Sequence, residues 1–135
     1  MQSRHERNEA SVLHFARDQL SDGVHVANIA LRRGENSLFH VHTETRDTFY
    51  VMSGRLTVHV RVAQGADEVG YRGLLSTSPE VMKAPDGELT HRVAVLPGEV
   101  LVIDPGVVHC AMNLDDDACK FLCIEGVGSY DFVEV

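Results

Sequence analysis

The fold of this chain is indicated most strongly by residues 34–54, which read GENSLFHVHTETRDTFYVMSG. His40 and His42 lie one residue apart, and Asp47 follows five positions after His42. Because alternate residues of a β-strand share a face, two imidazoles can reach one ion from a single strand. The aromatic and β-branched run at 48–53 predicts a second strand, which pairs back on the first and begins beside Asp47. Two histidines and a carboxylate on adjacent strands form a donor set for Fe, Mn, Zn, Cu or Ni.

A second stretch, residues 98–113, supplies a third histidine. It reads GEVLVIDPGVVHCAMN, a pattern that predicts a strand, a Pro-Gly turn and a further apolar strand with His109 near its start. One buried histidine is most simply a satisfied core residue, but three at these spacings favour metal ligation. We therefore expect His109 to complete the site begun in the first stretch.

The first stretch resembles the first sequence motif of the cupin superfamily. That motif consists of Gly, five residues, His-x-His, three or four residues, Glu, six residues and Gly. Four of its positions are matched, by Gly34, His40, His42 and Gly54. The Glu position holds Asp47, whose side chain is one methylene shorter.

The second stretch resembles the second cupin motif. That motif consists of Gly, five residues, Pro-x-Gly, two residues, His, three residues and Asn. Gly98, Gly106, His109 and Asn113 match it, while its Pro position holds Asp104. Both motifs in order, at fixed spacings, are far more specific than a lone His-x-His.

The resemblance implies an all-β fold, an antiparallel double-stranded β-helix or jelly-roll barrel, with a metal between the sheets near one open end. It implies one cupin domain over residues 1–135, and the polar residues 1–10 are expected to form a flexible arm. One divalent transition metal ion, Fe, Mn, Zn or Ni, is expected. Its implied ligands are His40, His42, Asp47 and His109.

The same resemblance leaves the function open between two classes. Cupins of this kind include metal-dependent dioxygenases, isomerases and lyases that act on small organic molecules. Others bind or sense a small ligand without turnover, and the fold does not choose between the two classes. The resemblance also implies a homodimer, with Ser11–Leu20 and Tyr130–Val135 as the expected contact segments.

The carboxylate ligand of the predicted site has two candidates, Asp47 and Glu44. Asp47 has the offsets from His42 and Gly54 that the motif requires, so direct binding is favoured over binding through a water or a site of three histidines alone. Glu44 is the alternative, because residues 40, 42 and 44 share a face if the strand continues past His42. Otherwise Glu44 is a solvated turn carboxylate.

Strand alternation also predicts the lining of a pocket. If Asp47 faces inward, Phe49 and Val51 face inward with it, and Leu38 shares the face of His40. Arg46 could receive an anionic group, although a solvated surface charge is the simpler interpretation. His59 could add a further imidazole to the site. These side chains would suit a small organic ligand.

The rest of the chain reads as short strands between Gly- and Pro-rich turns, with no segment of helical periodicity long enough for a helix. The segment 64–92 is an excursion between the motifs, in which we expect a hairpin near Val69–Tyr71 and a helical turn near Pro79–Met82. Further strands are predicted at 24–33, 55–63, 92–96, 100–103, 107–113 and 118–125. The tail Tyr130–Val135 is expected to cover a sheet edge.

Composition limits the remaining possibilities. A formal charge of −8 disfavours nucleic acids and anionic membrane surfaces as partners. No apolar run approaches the ~18 residues that span a bilayer. The N-terminus lacks the apolar core of a signal peptide, and the three cysteines, Cys110, Cys119 and Cys123, read as buried small side chains. A cytoplasmic protein is therefore expected.

Overall fold

The computed structural model describes residues 24–63, 65–126 and 128–135. In these ranges there is no helix, and eleven strands form two antiparallel sheets. The predicted arm at 1–10 and the segment Ser11–Leu20 lie outside the described residues. The strands are β1 (His25–Leu31), β2 (His40–Val41), β3 (Asp47–Ser53), β4 (Leu56–Val62), β5 (Tyr71–Leu74), β6 (Glu80–Lys83), β7 (Leu89–Val95), β8 (Val100–Ile103), β9 (His109–Met112), β10 (Cys119–Glu125) and β11 (Val133–Glu134).

The two sheets face one another across an apolar core. The five-stranded sheet has the order β1-β10-β3-β8-β5, and the six-stranded sheet has the order β11-β2-β9-β4-β7-β6. These confirm the predicted all-β, antiparallel jelly-roll class, although the described strands form an open sandwich rather than a closed barrel. No helix of the described residues is long and apolar enough to cross a membrane.

Period-two alternation builds the core, as the sequence predicts. In β1 and β10, buried and less buried residues alternate along the strand. In β4 the apolar positions Leu56, Val58, Val60 and Val62 are buried, while His59 and Arg61 point to the other face of the sheet. The largest core side chains include Phe121, Ile29 and Leu101. The core thus fixes which face each strand presents to the space between the sheets.

The predicted hairpin between the first two strands is wrong. β2 pairs with β9 and β11 in the six-stranded sheet, whereas β3 pairs with β10 and β8 in the five-stranded sheet. Residues 43–46 carry the chain from one sheet to the other. Local sequence signals cannot distinguish a hairpin turn from a crossing of this length. Asp47 therefore approaches the histidines from the facing sheet, not from an adjacent strand.

The excursion at 64–92 contains strands that extend both sheets. Tyr71–Leu74 pairs with β8 and is not part of a local hairpin. Glu80–Lys83 pairs with β7, so the helical turn predicted near Pro79–Met82 is wrong. β7 itself begins at Leu89 instead of Arg92. β5 is stabilised by a partner distant in sequence, which local turn propensity does not reveal, whereas β6 and β7 form a hairpin across residues 84–88.

The C-terminal tail covers a sheet edge, as predicted. Val133 pairs with Val41 and Glu134 pairs with His40, so β11 becomes the last strand of the six-stranded sheet. Val135 adds a backbone hydrogen bond from its amide to the carbonyl of Phe39. The role of this tail as a contact with a second subunit stays a prediction.

Two glycines of the cupin motifs provide a matched test of the close approach between chain segments. Gly54 and Gly98 have φ values of 76° and 83°, so alanine is strained at both. A Cβ at Gly54 would lie 2.5 Å from the Ala118 carbonyl oxygen, whereas a Cβ at Gly98 would meet nothing within 4 Å. We expect Gly98→Ala to cost about 1–2 kcal/mol from the backbone alone. Gly54→Ala should cost at least about 1 kcal/mol more, because backbone must also move.

Urea unfolding of the metal-free protein and of both variants measures this difference directly. Equal losses in the free energy of unfolding would contradict the close approach of Gly54 to the Ala118 backbone. They would show that only the left-handed backbone conformation matters at that position.

Candidate metal centre

Four polar side chains meet between the sheets. His40 and His42 lie at β2, His109 lies opposite His40 on the neighbouring β9, and Asp47 begins β3 in the facing sheet. One ligand atom of each lies within 4.8 Å of the corresponding atoms of the other three. All four residues are 1–2% exposed. The structure therefore brings together all four of the predicted ligands.

Backbone carbonyls determine how the three imidazoles are turned. A carbonyl oxygen can only accept a hydrogen bond, so the ring nitrogen that faces it must carry the proton. In each histidine that nitrogen is Nδ1. The accepting carbonyls are Leu38 at 3.0 Å from His40, Val107 at 2.8 Å from His109, and Asp131, which faces His42. In a neutral ring the Nε2 atom is then left with a lone pair directed into the cluster, the state that metal ligation requires. In the metal-free protein, His109 Nε2 and Asp47 Oδ2 instead form a hydrogen bond of 2.7 Å.

Asp47 lies at the centre of this arrangement. Its Oδ2 atom is 2.7 Å from His109 Nε2, 3.0 Å from His42 Nε2 and 4.0 Å from His40 Nε2. Its Oδ1 atom is buried without a hydrogen-bond partner among the described residues. A buried carboxylate oxygen that lacks a donor is costly unless a cation or a donor compensates it. Among the described residues, Oδ1 thus lacks the donor or cation that would compensate its burial.

The pKa values show that Asp47 and the histidines influence one another's charge. Burial raises the pKa of Asp47, but His109 and His42 outweigh it and hold that pKa well below its usual range. Burial lowers the pKa of His42, yet the neighbouring Asp47 carboxylate outweighs burial, so the pKa is raised above its ordinary value. For His40, burial and the two other histidines lower the pKa to about 3. His40 is therefore neutral at physiological pH and ready to ligate.

The C-terminal tail supplies residues that the sequence did not associate with the site. The ring of Phe132 stacks on His40 at 4.3 Å between centroids, and Asp131 orients His42 through its backbone carbonyl. The Asp131 carboxylate in turn accepts hydrogen bonds from the amide and hydroxyl of Thr43. Only the aromatic character of the tail was visible in the sequence, and that alone indicates no particular neighbour. The tail encloses the histidines on the side of β11.

The predicted pocket residues divide into those near the cluster and those away from it. Phe49 faces inward, with its ring 6.1 Å from that of His109. Val51 is also inward but belongs to the apolar core beyond Phe49. Arg46 is largely exposed and pairs with Asp104 at 3.4 Å. Glu44 lies exposed in the crossing between the sheets and is not part of the cluster.

Two expectations about faces are corrected. Leu38 precedes β2 and has a positive φ of 64°, so the strand alternation that aligned it with His40 does not reach it. Its contribution is the carbonyl that orients His40. His59 points away from the core, stacks on Phe39 and accepts a hydrogen bond from Arg92. It therefore lies on the opposite face of the sheet from His109 and is not a member of the cluster.

A second buried carboxylate, at the last residue of β10, was not predicted from the sequence. Glu125 is 3% exposed, and its Oε2 atom lies 4.0 Å from His42 Nε2. Its register places it directly opposite Asp47 across β10 and β3. A charged residue at the end of an apolar strand was the available signal, but it did not reveal which strand would be the neighbour.

The coupling between Asp47 and His42 predicts how the metal-free protein responds to pH. A raised folded-state pKa at His42 stabilises the fold below about pH 6.5, and this contribution is lost as pH rises through that pKa. A lowered pKa at Asp47 stabilises the fold above about pH 4, and this contribution is lost as pH falls. The loss of unfolding free energy in Asp47→Asn should therefore be largest between about pH 4 and 6.5.

Chemical denaturation across the pH range, in the presence of a chelator, provides the measurement. Asp67→Asn in an exposed loop is the control and should show no such window. A loss in Asp47→Asn that does not vary with pH would contradict the coupling.

Comparison with known proteins agrees with this architecture. The sequence matches the cupin family over residues 8–126, and no curated protein sequence matches significantly. Oxalate decarboxylase from Bacillus subtilis has a TM-score of 0.59 and 20% identity, and the match covers 87% of this chain and 25% of that one. An oxalate oxidase has a TM-score of 0.59 and 19% identity, covering 84% of this chain and 46% of that one.

A protein from Klebsiella pneumoniae with a double-stranded β-helix domain is closer in length. Its TM-score is 0.58 at 20% identity, with 85% of this chain and 72% of that chain covered. This chain thus spans only a quarter of the decarboxylase, and identities this low support likeness of fold alone. Because the family match covers most of the sequence, including both histidine motifs, this chain belongs to the cupin family.

Proposed function

We propose that this cupin is a metal-dependent enzyme acting on a small organic molecule, with one divalent transition ion held by His40, His42, His109 and Asp47. The observation that carries the proposal is the convergence of three Nε2 lone pairs and a carboxylate in a buried site. Each imidazole is already turned toward the ion by a hydrogen bond at Nδ1. Little reorganisation would be needed for ligation.

Three imidazole nitrogens and one carboxylate oxygen would suit a divalent transition ion such as Mn(II), Fe(II), Ni(II) or Zn(II). In the metal-free structure, the Nε2 atoms of His109, His42 and His40 lie 2.7, 3.0 and 4.0 Å from Asp47 Oδ2, so the four donors are already gathered. Bacillus subtilis oxalate decarboxylase, a structural neighbour, has Mn(II) centres.

The residues around the cluster determine the environment that a substrate would meet. A bound Mn or Fe ion would supply Lewis acidity and one-electron chemistry. Phe49 and Phe132 supply apolar walls beside the histidines, and burial excludes bulk water from the cluster. A small organic acid, bound by its oxygen atoms, fits these conditions. The two enzymes named for oxalate among the structural neighbours support this substrate class, and dioxygenase, isomerase and lyase chemistry all remain within the proposal.

A non-catalytic role in binding a small ligand is the alternative. The observation that favours it is the enclosure of the cluster, where Phe132 stacks on His40 and the tail strand covers β2. Proton relaxation of water by the Mn(II)-loaded protein separates the two functions. Exchange of solvent at the ion, together with turnover of a panel of small organic acids, supports the enzyme. A loaded protein with neither property supports the binding role.

The ligand set gives the most direct mutational test. His40→Ala, His42→Ala, His109→Ala and Asp47→Ala should each weaken Mn(II) binding by about 100-fold or more, because even outer-shell losses cost 10–100-fold. Asp47→Glu should retain the metal, since it restores the carboxylate of the cupin motif. The matched control is Glu44→Ala, a nearby exposed carboxylate that should bind the metal normally.

Competition with a metal indicator measures these dissociation constants at fixed pH. If Glu44→Ala loses the ion while Asp47→Ala keeps it, the carboxylate has been misassigned. If none of the four ligand variants weakens binding, the proposed function fails.

The proposal also includes a single cupin domain, a cytoplasmic location and a homodimer. The dimer contact is proposed at the outer face of the five-stranded sheet, which exposes Val26, Tyr50, Met52 and Leu74. Apolar side chains exposed together on one sheet face are typical of an interaction surface.

Sedimentation equilibrium at micromolar concentration tests the dimer. We expect about twice the chain mass of 14.9 kDa for the native protein, and a shift toward the monomer for Tyr50→Lys combined with Leu74→Lys. Native protein that sediments as a monomer would remove the homodimer from the proposal.

A further inference from the structure

We propose that Glu125 is a second carboxylate ligand of the metal centre, so that five protein side chains face the ion. This inference rests on the proposed function, because it requires that the ion binds at the histidine cluster. It goes further by assigning a ligand that lies outside both cupin motifs, on the strand that follows the second motif. It also restricts the kind of molecule that the centre can accept.

The strand register places Glu125 beside the predicted site. Glu125 pairs with Asp47 across β10 and β3, and the two side chains share the inner face of the five-stranded sheet. Glu125 Oε2 lies 4.0 Å from His42 Nε2. Ligand atoms of Asp47, Cys123 and Glu125 all lie within 4.8 Å of one another. Glu125 is therefore adjacent to two of the four proposed ligands.

The distance from Glu125 to His42 is compatible with both residues binding one ion. Two donors on an ion with bonds of about 2.1 Å lie at most about 4.2 Å apart. The observed 4.0 Å between Glu125 Oε2 and His42 Nε2 lies just inside that limit. Asp47 has a short side chain and cannot move far from its strand, whereas Glu125 has one more methylene with which to reach the ion.

Charge balance supports the same assignment. Asp47 and Glu125 place two carboxylates side by side in a region from which water is largely excluded. Two buried carboxylates repel one another and stay ionised together only where positive charge compensates them. A divalent ion coordinated by three neutral imidazoles and both carboxylates gives a centre with no net charge.

Cys123 has a different role in this arrangement. Its Sγ atom contacts Glu125 Oε2 at 3.4 Å, with the thiol as the donor. Cys123 therefore holds the orientation of Glu125 as a positioning residue, and the thiol proton is used in that contact. A thiolate bound directly to the ion would require this contact to break.

Five protein ligands leave one position on a six-coordinate ion. A molecule that binds through a single donor atom can enter without displacing a side chain. A molecule that chelates through two oxygen atoms must first displace Glu125. The centre should therefore discriminate against chelating ligands, and removal of Glu125 should relax that discrimination.

Metal affinity of the full chain tests the ligand assignment. Glu125→Gln keeps the shape of the side chain and removes its charge, and it should weaken Mn(II) binding by at least about tenfold. Glu44→Gln is the matched control, an exposed carboxylate on the crossing between the sheets, and it should remain within about twofold of the native value. If Glu125→Gln does not fold, Glu125→Asp retains the charge, withdraws the carboxylate, and should weaken binding similarly.

Two probe ligands provide a readout that loss of structure would not mimic. Azide binds through one atom, and oxalate can bind through two. The electron paramagnetic resonance spectrum of the Mn(II)-loaded protein reports the binding of each. In Glu125→Ala, we expect affinity for oxalate to rise at least tenfold relative to affinity for azide. An unchanged ratio would overturn the inference.

The outcomes separate this inference from the proposed function. If Glu125→Gln binds Mn(II) within about twofold of the native protein while Asp47→Ala does not bind, the inference is overturned and the proposed function stands. A thiolate-to-metal charge-transfer band in the Co(II)-loaded protein, lost in Cys123→Ser, would assign the position to Cys123 and also overturn it. If the histidine variants bind normally, the proposed function itself fails.

Discussion

The arrangement of this protein depends on one interaction, the approach of the Asp47 carboxylate to three imidazoles that have already used their Nδ1 protons elsewhere. His40, His42 and His109 donate those protons to backbone carbonyls, so neutral rings would turn only lone pairs toward Asp47. Carboxylate and imidazole lone pairs at 2.7 to 3.0 Å repel unless a proton or a metal ion lies between them. In the metal-free protein a proton on a histidine relieves this repulsion, and a divalent ion would replace that proton.

The site lies between the two sheets because each sheet contributes part of the cluster. The six-stranded sheet contributes the histidines and the five-stranded sheet contributes Asp47, with residues 43–46 as the connection between them. Packing between the sheets therefore determines the distance from the carboxylate to the rings. The tail strand β11 adds the carbonyl that orients His42 and the ring that stacks on His40. The final residues of the chain are thus part of the site's geometry.

The ligand residues could be predicted from their spacing in the sequence. The strand pairing that positions them depends on segments far apart in the sequence and could not. The His-x-His pair, His109 and Asp47 were identified because motif positions and strand alternation are local properties of the sequence. The facing-sheet origin of Asp47 was not, since a four-residue connection reads the same whether it turns or crosses. The orientation of His59 follows from alternation with the valines of β4, but only after the core face is known. Glu125 and Asp131 lie beside the site through register with strands far away in sequence.

The central claim is that one ion lies between the two sheets, bound by residues from both. An anomalous difference map at the manganese edge, from crystals of Mn(II)-loaded protein, tests this most directly. We expect a single peak about 2.1–2.2 Å from Nε2 of His40, His42 and His109 and from an oxygen of Asp47. A map with no peak in the cluster, or with its peak at a surface site away from these side chains, would contradict it.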